Sequence, residues 1–293
     1  MGMRIRTNVE SMRAQRHLSN NNQAMGNSLE KLSSGYRINK SADDAAGLAV
    51  SENMRGKIRG LSQAKRNAMD ANSMLQVAEG AMNEMTNIFV RMRELTVQAA
   101  TDTLGDRDRS FLNKEYTQLA SEIDRIAQTT EFNENKFFVS DDDRTHYTIQ
   151  VGTNGTPVDA NMDTLSIDLS GLKFTTEDLG IGKGAEIGPD IDDLSSAPAR
   201  DEIADKLGVL DKALGRIASE RSTLGALQSR LGSTVNNLSI SIENLGTARS
   251  RIKDVDFAKE TAELASNRMM TQSSLSVLSQ ANTIPDMALN LLR

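Results

Sequence analysis

Apolar residues recur along the last third of the chain with the spacing of a helix packed against a partner helix. From Ile203 to Ile252, alternating steps of four and three residues meet apolar side chains except at Arg221, Gln228 and Arg249. An unbroken seven-residue repeat of this kind predicts a long helix in a left-handed coiled coil. At ~1.5 Å per residue the helix would extend ~75 Å, so it requires a partner helix of similar length.

The first half of the chain contains that partner. Between Ile58 and Ala99 the apolar positions again step by three or four residues, and five of them are alanines, which favours a close approach of helices. A helix stop signal follows at residues 103–106. A third helix is then predicted from the spacing of Leu112, Tyr116, Leu119, Ile123 and Ile126.

The segment between these two arms has the pattern of short strands. Two sets of apolar residues alternate with polar ones, namely Tyr147, Ile149 and Val151, and Leu165, Ile167 and Leu169. Three of the four prolines and seven of the 20 glycines lie within residues 152–198, which indicates turns. The sequence therefore predicts a mainly α fold, an elongated coiled-coil helical bundle built from both chain arms, with a small β-hairpin region in the middle.

The two ends of the chain differ from the arms. Residues 5–33 and 257–292 carry weak apolar stripes interrupted by many polar residues, and the sequence stays apolar up to Leu291 and Leu292. Neither end has enough apolar surface to fold by itself. We therefore expect both ends to become ordered through contact with other molecules.

Composition limits the chemistry that this chain can perform. Cysteine is absent, and the two histidines, His17 and His146, lie far apart without a metal-binding motif. The spacing of the methionines is typical of adaptable core packing rather than of a metal site, and Asp141–Asp143 lack the spacing of a calcium loop. We predict no enzyme activity, no cofactor and no metal site.

Charge and hydropathy narrow the partners and the location. Residues 1–70 carry 12 Lys/Arg and 6 Asp/Glu, but aromatic residues do not interleave with the arginines, so we expect no nucleic-acid binding. Residues 140–202 carry 4 Lys/Arg and 14 Asp/Glu, and this acidic middle is expected to be solvated. The sequence has neither the ~18-residue apolar stretch of a membrane span nor an apolar signal-peptide segment. This predicts a cytosolic protein or export by a route without a cleaved signal.

Several collinear motifs resemble one family. They are LSSGYRIN at 32–39, DDAAG at 43–47, GLSQA at 60–64, RMRELTVQ at 91–98, EFN at 131–133, ARSRIKDVDF at 248–257, SQAN at 279–282 and LLR at 291–293. In these segments the chain resembles bacterial flagellin, the subunit of the flagellar filament, and the likeness covers about residues 1–140 and 200–293.

The resemblance implies a function and a division into parts. Residues 1–42 and 255–293 would form the terminal, inner-tube domain, residues 43–140 and 201–254 the helical wall domain, and residues 141–200 a short acidic β-hairpin and loop region. Such a subunit would polymerise into an extracellular filament for swimming motility, after export without a cleaved signal peptide. Its expected partners are further copies of itself, a flagellar export chaperone, the filament cap, the hook-junction proteins and the vertebrate Toll-like flagellin receptor.

The resemblance also assigns residues to three surfaces. The polymerisation seam is predicted at Leu29, Leu32, Leu275, Leu278, Leu291 and Leu292. Asp43 and Asp44 belong to the spoke that joins the inner and outer tubes, and as adjacent acids before an apolar run they also suit a helix N-terminus. Arg91, Leu95 and Glu115 match a receptor-binding and intersubunit surface, although Phe89-Val90 and Thr96 depart from the usual motif.

Two other functions remain open at this point. A hook–filament junction protein would share the terminal patterns but match less well through the central Arg-Glu-Leu segment. A cytoplasmic coiled-coil signalling hairpin would have a polar or glycine-rich tip and no need for ordered ends, which the apolar C-terminal residues argue against.

Overall fold

A computed structural model of the protein describes residues 7–139, 146–153, 163–182, 187–189 and 200–290, with the backbone alone at 200 and 284–290. The helices are α1 (Val9–Ser34), α2 (Ala45–Ala99), α3 (Asp106–Thr129), α4 (Arg200–Lys253) and α5 (Phe257–Asn290). The strands are β1 (Glu131–Phe132), β2 (Asn135–Lys136), β3 (His146–Gln150) and β4 (Thr164–Asp168). Long helices that pack against each other, with two small antiparallel strand pairs between them, confirm the predicted mainly α class.

The chain forms two compact units. Unit 1 combines both ends of the sequence, Met1–Ile58 and Glu243–Arg293, and unit 2 comprises Arg59–Ile242. The units therefore divide within α2 and α4, whereas the sequence-based boundaries at 42/43 and 254/255 fall in the loops before α2 and before α5. Among the helices that the structure describes, none is both long and apolar enough to cross a membrane.

The core of unit 2 follows the predicted helical stripes. Every position of the α4 repeat is buried or half-buried, and full burial recurs every seven residues, at Ile203, Leu210, Ile217, Leu224, Leu231 and Leu238. The α2 stripe is likewise buried or half-buried from Ile58 to Ala99. Two polar contacts show that α2 and α4 run antiparallel, Gln228 Nε2 donating to Glu79 Oε2 at 2.9 Å and Arg93 Nε donating to Asp211 Oδ1 at 2.8 Å.

The middle of the sequence contributes to the same core. Strands β3 and β4 pair antiparallel, with Tyr147 opposite Ile167 and Ile149 opposite Leu165, as the alternation predicts. After β4, Leu169, Leu172 and Phe174 are buried in one cluster with the helices. The described part of the middle is therefore solvated only on its outer side, where Asp168 and Asp178 are exposed. Asp141–Asp143 lie outside the described residues.

A second hairpin, β1–β2, was not predicted from the sequence. Its turn places Asn133 and Glu134 at φ 51° and 67°, in the left-handed region that glycine usually occupies. The segment contains no glycine, and glutamate rarely adopts this backbone conformation. The glycine that usually indicates a turn of this kind is therefore missing from the sequence.

Candidate assembly surface

Helices α1 and α5 pair antiparallel within unit 1, and several polar groups make contacts between them. At one end of the pair Lys31 Nζ lies 3.9 Å from Glu260 Oε2. The hydrogen bonds toward the other end are Asn21 Nδ2 to Ser274 Oγ at 2.9 Å, Ser11 Oγ to Asn282 Oδ1 at 2.7 Å and Asn8 Nδ2 to Ala281 O at 2.7 Å. The sequence thus brings residues about 270 positions apart side by side.

Helices α1 and α5 leave more large apolar residues exposed than an ordinary amphipathic helix does. Within residues 9–34 and 257–283, the buried side chains are small or polar: Ser11, Ala14, Ser28, Glu260 and Ala281. Eight large apolar side chains of the two helices are exposed, and we call this set the terminal-helix surface: Val9, Met12, Leu29, Phe257, Met269, Met270, Leu275 and Val277, each 45–65% exposed. Large apolar side chains left exposed in such number favour contact with another molecule.

The predicted seam residues lie on or beside this surface. Leu29 and Leu275 are 45% and 52% exposed, and Leu32 and Leu278 are half-buried. Leu291 and Leu292 lie outside the described residues. In the single chain the four described leucines are therefore not sealed from solvent.

An open groove of about 510 Å³ runs between the two helices. Its lining includes Ala14, His17, Met269, Met270 and Val277. The groove adds concave apolar area to the terminal-helix surface, and its volume accommodates large side chains of a second molecule.

Asp43 and Asp44 organise the connection between α1 and α2. Asp43 Oδ2 accepts hydrogen bonds from the backbone N–H groups of Lys40 and Asn39, each at 2.9 Å, and these bonds hold the pKa of Asp43 below its ordinary value. Asp44 Oδ1 accepts from Gly47 N at 2.8 Å, which caps the N-terminus of α2. Both carboxylates therefore hold the turn between α1 and α2 through hydrogen bonds with the backbone.

Backbone hydrogen bonds join the same connection to the end of α4 and to the loop between α4 and α5. Gly35, at φ 73°, ends α1 in a left-handed conformation, and its carbonyl accepts from Val255 N at 3.0 Å. Arg37 N donates to Lys253 O at 2.7 Å, and the Lys253 ammonium lies 5.0 Å from the centre of the Tyr36 ring. These contacts could not be predicted from the sequence, because their partners are more than 200 residues apart.

Arg91, Leu95 and Glu115 do not share one surface. Arg91 Nε donates to Glu115 Oε1 at 2.8 Å and Arg91 Nη1 to Glu94 Oε2 at 3.0 Å, and these contacts, Glu115 first, raise the pKa of Arg91. Both charged partners are exposed. Leu95, in contrast, is 1% exposed in the core of unit 2, so its side chain supports the surface from beneath and is not part of it.

These features define a class: a long-helix structural subunit whose two chain ends pair with each other and leave their large apolar residues exposed. Residues 5–141 match the family model of the bacterial flagellin N-terminal helical region, and residues 207–292 match the bacterial flagellin C-terminal helical region. The chain belongs to the bacterial flagellin family. It is a structural subunit of the bacterial flagellar filament, and this function is favoured over the hook-junction and signalling-hairpin alternatives.

Relatives match along the whole chain. A flagellin of Bacillus subtilis (strain 168) is 40% identical over 311 residues, covering 99% of this chain and 100% of the relative. A flagellin of Halalkalibacterium halodurans is 42% identical over 291 residues with the same coverage. A solved Vibrio parahaemolyticus structure, described as a flagellar hook-associated protein, has a TM-score of 0.57 and 14% identity, covering 72% of this chain and 100% of that one. The last likeness concerns the fold alone.

Proposed function

We propose that this chain polymerises through its terminal-helix surface, which becomes buried between copies in the filament. The observation that carries the proposal is that eight large apolar residues of α1 and α5 are exposed, whereas the fully buried side chains of this pair are small or polar. Burial of one such side chain is worth roughly 1.5–3 kcal/mol. A few of them therefore outweigh any single polar contact and favour the assembled state.

The occupant of the groove between α1 and α5 is a second copy of the same chain. Contacts between different surfaces of identical subunits propagate an open helical polymer when the rotation does not close into a ring. Residues 1–42 and 255–293 then form the inner tube, with Leu29, Leu32, Leu275, Leu278, Leu291 and Leu292 in its seam. Residues 43–140 and 201–254 form the outer wall, and residues 141–200 lie between its two arms in sequence.

Asp43 and Asp44 act in the spoke of the filament. Their hydrogen bonds to Lys40, Asn39 and Gly47 fix the path of the chain between α1 and α2. A rigid path at this point keeps the terminal helices in one orientation when neighbouring copies dock. The role of both residues is structural, and the protein performs no catalysis.

Before assembly the terminal-helix surface must be covered or kept unfolded. An export chaperone covers this surface on the way out of the cell. The filament cap and the hook-junction proteins contact the same surface at the two ends of the polymer. Each of these partners would present apolar residues to Leu275, Val277 and their neighbours, because these side chains are the exposed apolar ones.

Arg91 and Glu115 form a second, charged surface. Their ion pair is exposed on α2 and α3, and it serves intersubunit packing in the filament and recognition by the vertebrate Toll-like flagellin receptor in the free subunit. In a receptor reporter assay we expect Arg91→Ala to lose most of the signal. Arg93→Ala, which removes an arginine paired with Asp211 at 2.8 Å, is the matched control and should retain it.

The assembly proposal is tested with Leu275→Gln in the full chain. Replacing a leucine that becomes buried on assembly should raise the critical concentration for filament formation by about tenfold, measured by sedimentation. Circular dichroism of the free subunit should not change, because Leu275 is 52% exposed there. Met69→Gln, at a 47% exposed position of α2 in unit 2, is the control and should shift the critical concentration less than about twofold. Wild-type assembly by Leu275→Gln and by Leu29→Gln would refute the proposal.

A further inference from the structure

Methionines in the core of unit 2 and methionines on the terminal helices differ sharply in exposure. Met74, Met82, Met85 and Met92 are 0–6% exposed in the core of unit 2. On the terminal helices, Met12, Met269 and Met270 are 62%, 65% and 55% exposed. A thioether that reaches solvent is open to oxidation, whereas a sealed one is protected by its neighbours.

We propose that Met12, Met269 and Met270 are a modification site at which peroxide switches off assembly of the free subunit. The inference rests on the proposed function, because it requires these side chains to become buried between copies. In the reaction the sulfur lone pair attacks one oxygen of hydrogen peroxide, the O–O bond breaks and an S–O bond forms. The thioether is oxidised by two electrons to the sulfoxide, and the peroxide is reduced and leaves as water.

The structure indicates what the sulfoxide would change. Met269 and Met270 are 65% and 55% exposed, and the hydrogen bonds between α1 and α5 are made by other side chains, so a new S–O dipole on either methionine leaves these bonds intact. Both methionines line the groove that receives the second copy. There the sulfoxide oxygen becomes a polar group that must lose its water when the neighbour docks, which opposes assembly.

The same geometry predicts protection after assembly. Once a neighbouring copy fills the groove and covers the rest of the terminal-helix surface, the sulfur atoms of Met269 and Met270 in the groove and of Met12 on that surface lose their access to solvent and react slowly. A subunit is therefore sensitive to peroxide while free and resistant within the filament. Enzymes of the methionine sulfoxide reductase class would restore the free subunit, because they return the sulfoxide to the thioether.

The experiment treats free full-length protein with hydrogen peroxide and maps sulfoxides by peptide mass spectrometry before sedimentation assays. We expect Met12, Met269 and Met270 to oxidise well ahead of the core methionines and the critical concentration to rise about tenfold. The triple variant Met12→Leu/Met269→Leu/Met270→Leu keeps apolar side chains of similar volume and should assemble normally with or without peroxide. Met69→Leu removes an exposed methionine of unit 2 and should leave the sensitivity unchanged.

The outcomes separate this inference from the proposed function. If untreated wild-type protein assembles and the oxidised protein assembles equally well with sulfoxide at all three positions, the modification site is refuted and the assembly proposal stands. If Leu275→Gln and Leu29→Gln assemble like wild type, the terminal-helix surface is refuted and this inference with it. Equal oxidation of the core and exposed methionines in folded protein would also overturn it.

Discussion

Lys253 Nζ lies 3.0 Å from Glu52 Oε1, and this ion pair joins the last turn of α4 to the early part of α2 within unit 1. The Lys253 side chain is 12% exposed and that of Glu52 is 35% exposed, so the contact is shielded more than an ordinary surface pair. Its ammonium also faces the Tyr36 ring. One lysine thus connects three segments that the sequence holds far apart.

This ion pair gives unit 1 an acid-sensitive contribution to stability. The hydrogen bond from Lys253 is the main cause that lowers the pKa of Glu52 below its ordinary value of 4.5. A carboxyl whose pKa is lower in the folded state stabilises it above the unfolded-state value and loses that effect as the pH falls through the folded-state value. We therefore expect Glu52→Gln to lower the thermal unfolding midpoint at pH 7, and the difference from wild type to shrink below about pH 4.5.

A double-mutant cycle provides the control for that pair. Lys253→Met should lower the midpoint at pH 7 more than Glu52→Gln does, because it also removes the contact with the Tyr36 ring. The two changes together should lower it by less than the sum of their separate effects, because either change alone breaks the ion pair. Full additivity of the two changes would show that the pair does not interact.

The burial pattern of α4 predicts that alanine substitutions at two aliphatic residues of this helix lower the free energy of unfolding by very different amounts. Leu224 is 1% exposed in the core of unit 2, and Leu224→Ala should reduce the free energy of unfolding by about 2–5 kcal/mol. Ile240 is 59% exposed on the same helix, and Ile240→Ala should change it by less than about 0.5 kcal/mol. Urea unfolding followed by circular dichroism measures both values, and similar losses would contradict the burial pattern.

Replacing each of two glycines of α2 by alanine should change the stability of the protein in opposite directions. A Cβ at Gly47 would overlap the Asp44 carboxylate and lie 2.8 Å from Ile38 Cδ1, and Ile38 is 1% exposed. Gly47→Ala should destabilise the protein by about 1–3 kcal/mol, since the cap and the packed isoleucine must both move. A Cβ at Gly56 meets nothing within 4 Å, so Gly56→Ala should stabilise by about 0.4–1 kcal/mol. Thermal unfolding midpoints that move in the same direction would refute this contrast.

A buried amide holds the middle segment against α3. Asn113, 6% exposed, accepts a hydrogen bond at its Oδ1 from Ile187 N at 3.1 Å. Asn113→Ala leaves that N–H without a partner and should cost about 1–3 kcal/mol. Asn87→Ala, at an exposed position of α2, controls for helix propensity and should not destabilise. Amide hydrogen exchange at Ile187 should accelerate in the first variant alone.

The long helices of unit 2 could be predicted because apolar residues recur at a fixed spacing along their whole length. Leu210, Leu224 and Leu238 are apolar at a fixed spacing, so an error at one position would not change the assignment. The residues of α3 that bind the middle segment do not recur at any spacing. Asp124, whose Oδ1 accepts from Thr176 N at 2.8 Å, and Asn113 are single polar residues whose partners lie more than 50 positions away.

The assignment of Leu95 to a surface shows a limit of spacing rules. Residues four apart on a helix differ by about 40° in direction, so Arg91 and Leu95 share a side of α2 without sharing an environment. The boundary of the core passes between them, leaving Arg91 exposed and Leu95 sealed. The exposed leucines of α1 and α5 could be anticipated from their weak stripes, but the polar pairs that hold these helices together could not.

The hydrogen bond from Gln228 to Glu79 has a consequence for how α2 and α4 find each other. A strict heptad stripe is nearly as compatible with a neighbour displaced lengthwise by one repeat, a slip of about 10 Å, as with the native alignment. Such a displacement would separate this polar pair and break its hydrogen bond. The hydrogen bond between Gln228 and Glu79 therefore favours the native lengthwise alignment of α2 and α4 over displaced alignments that apolar contacts alone would allow.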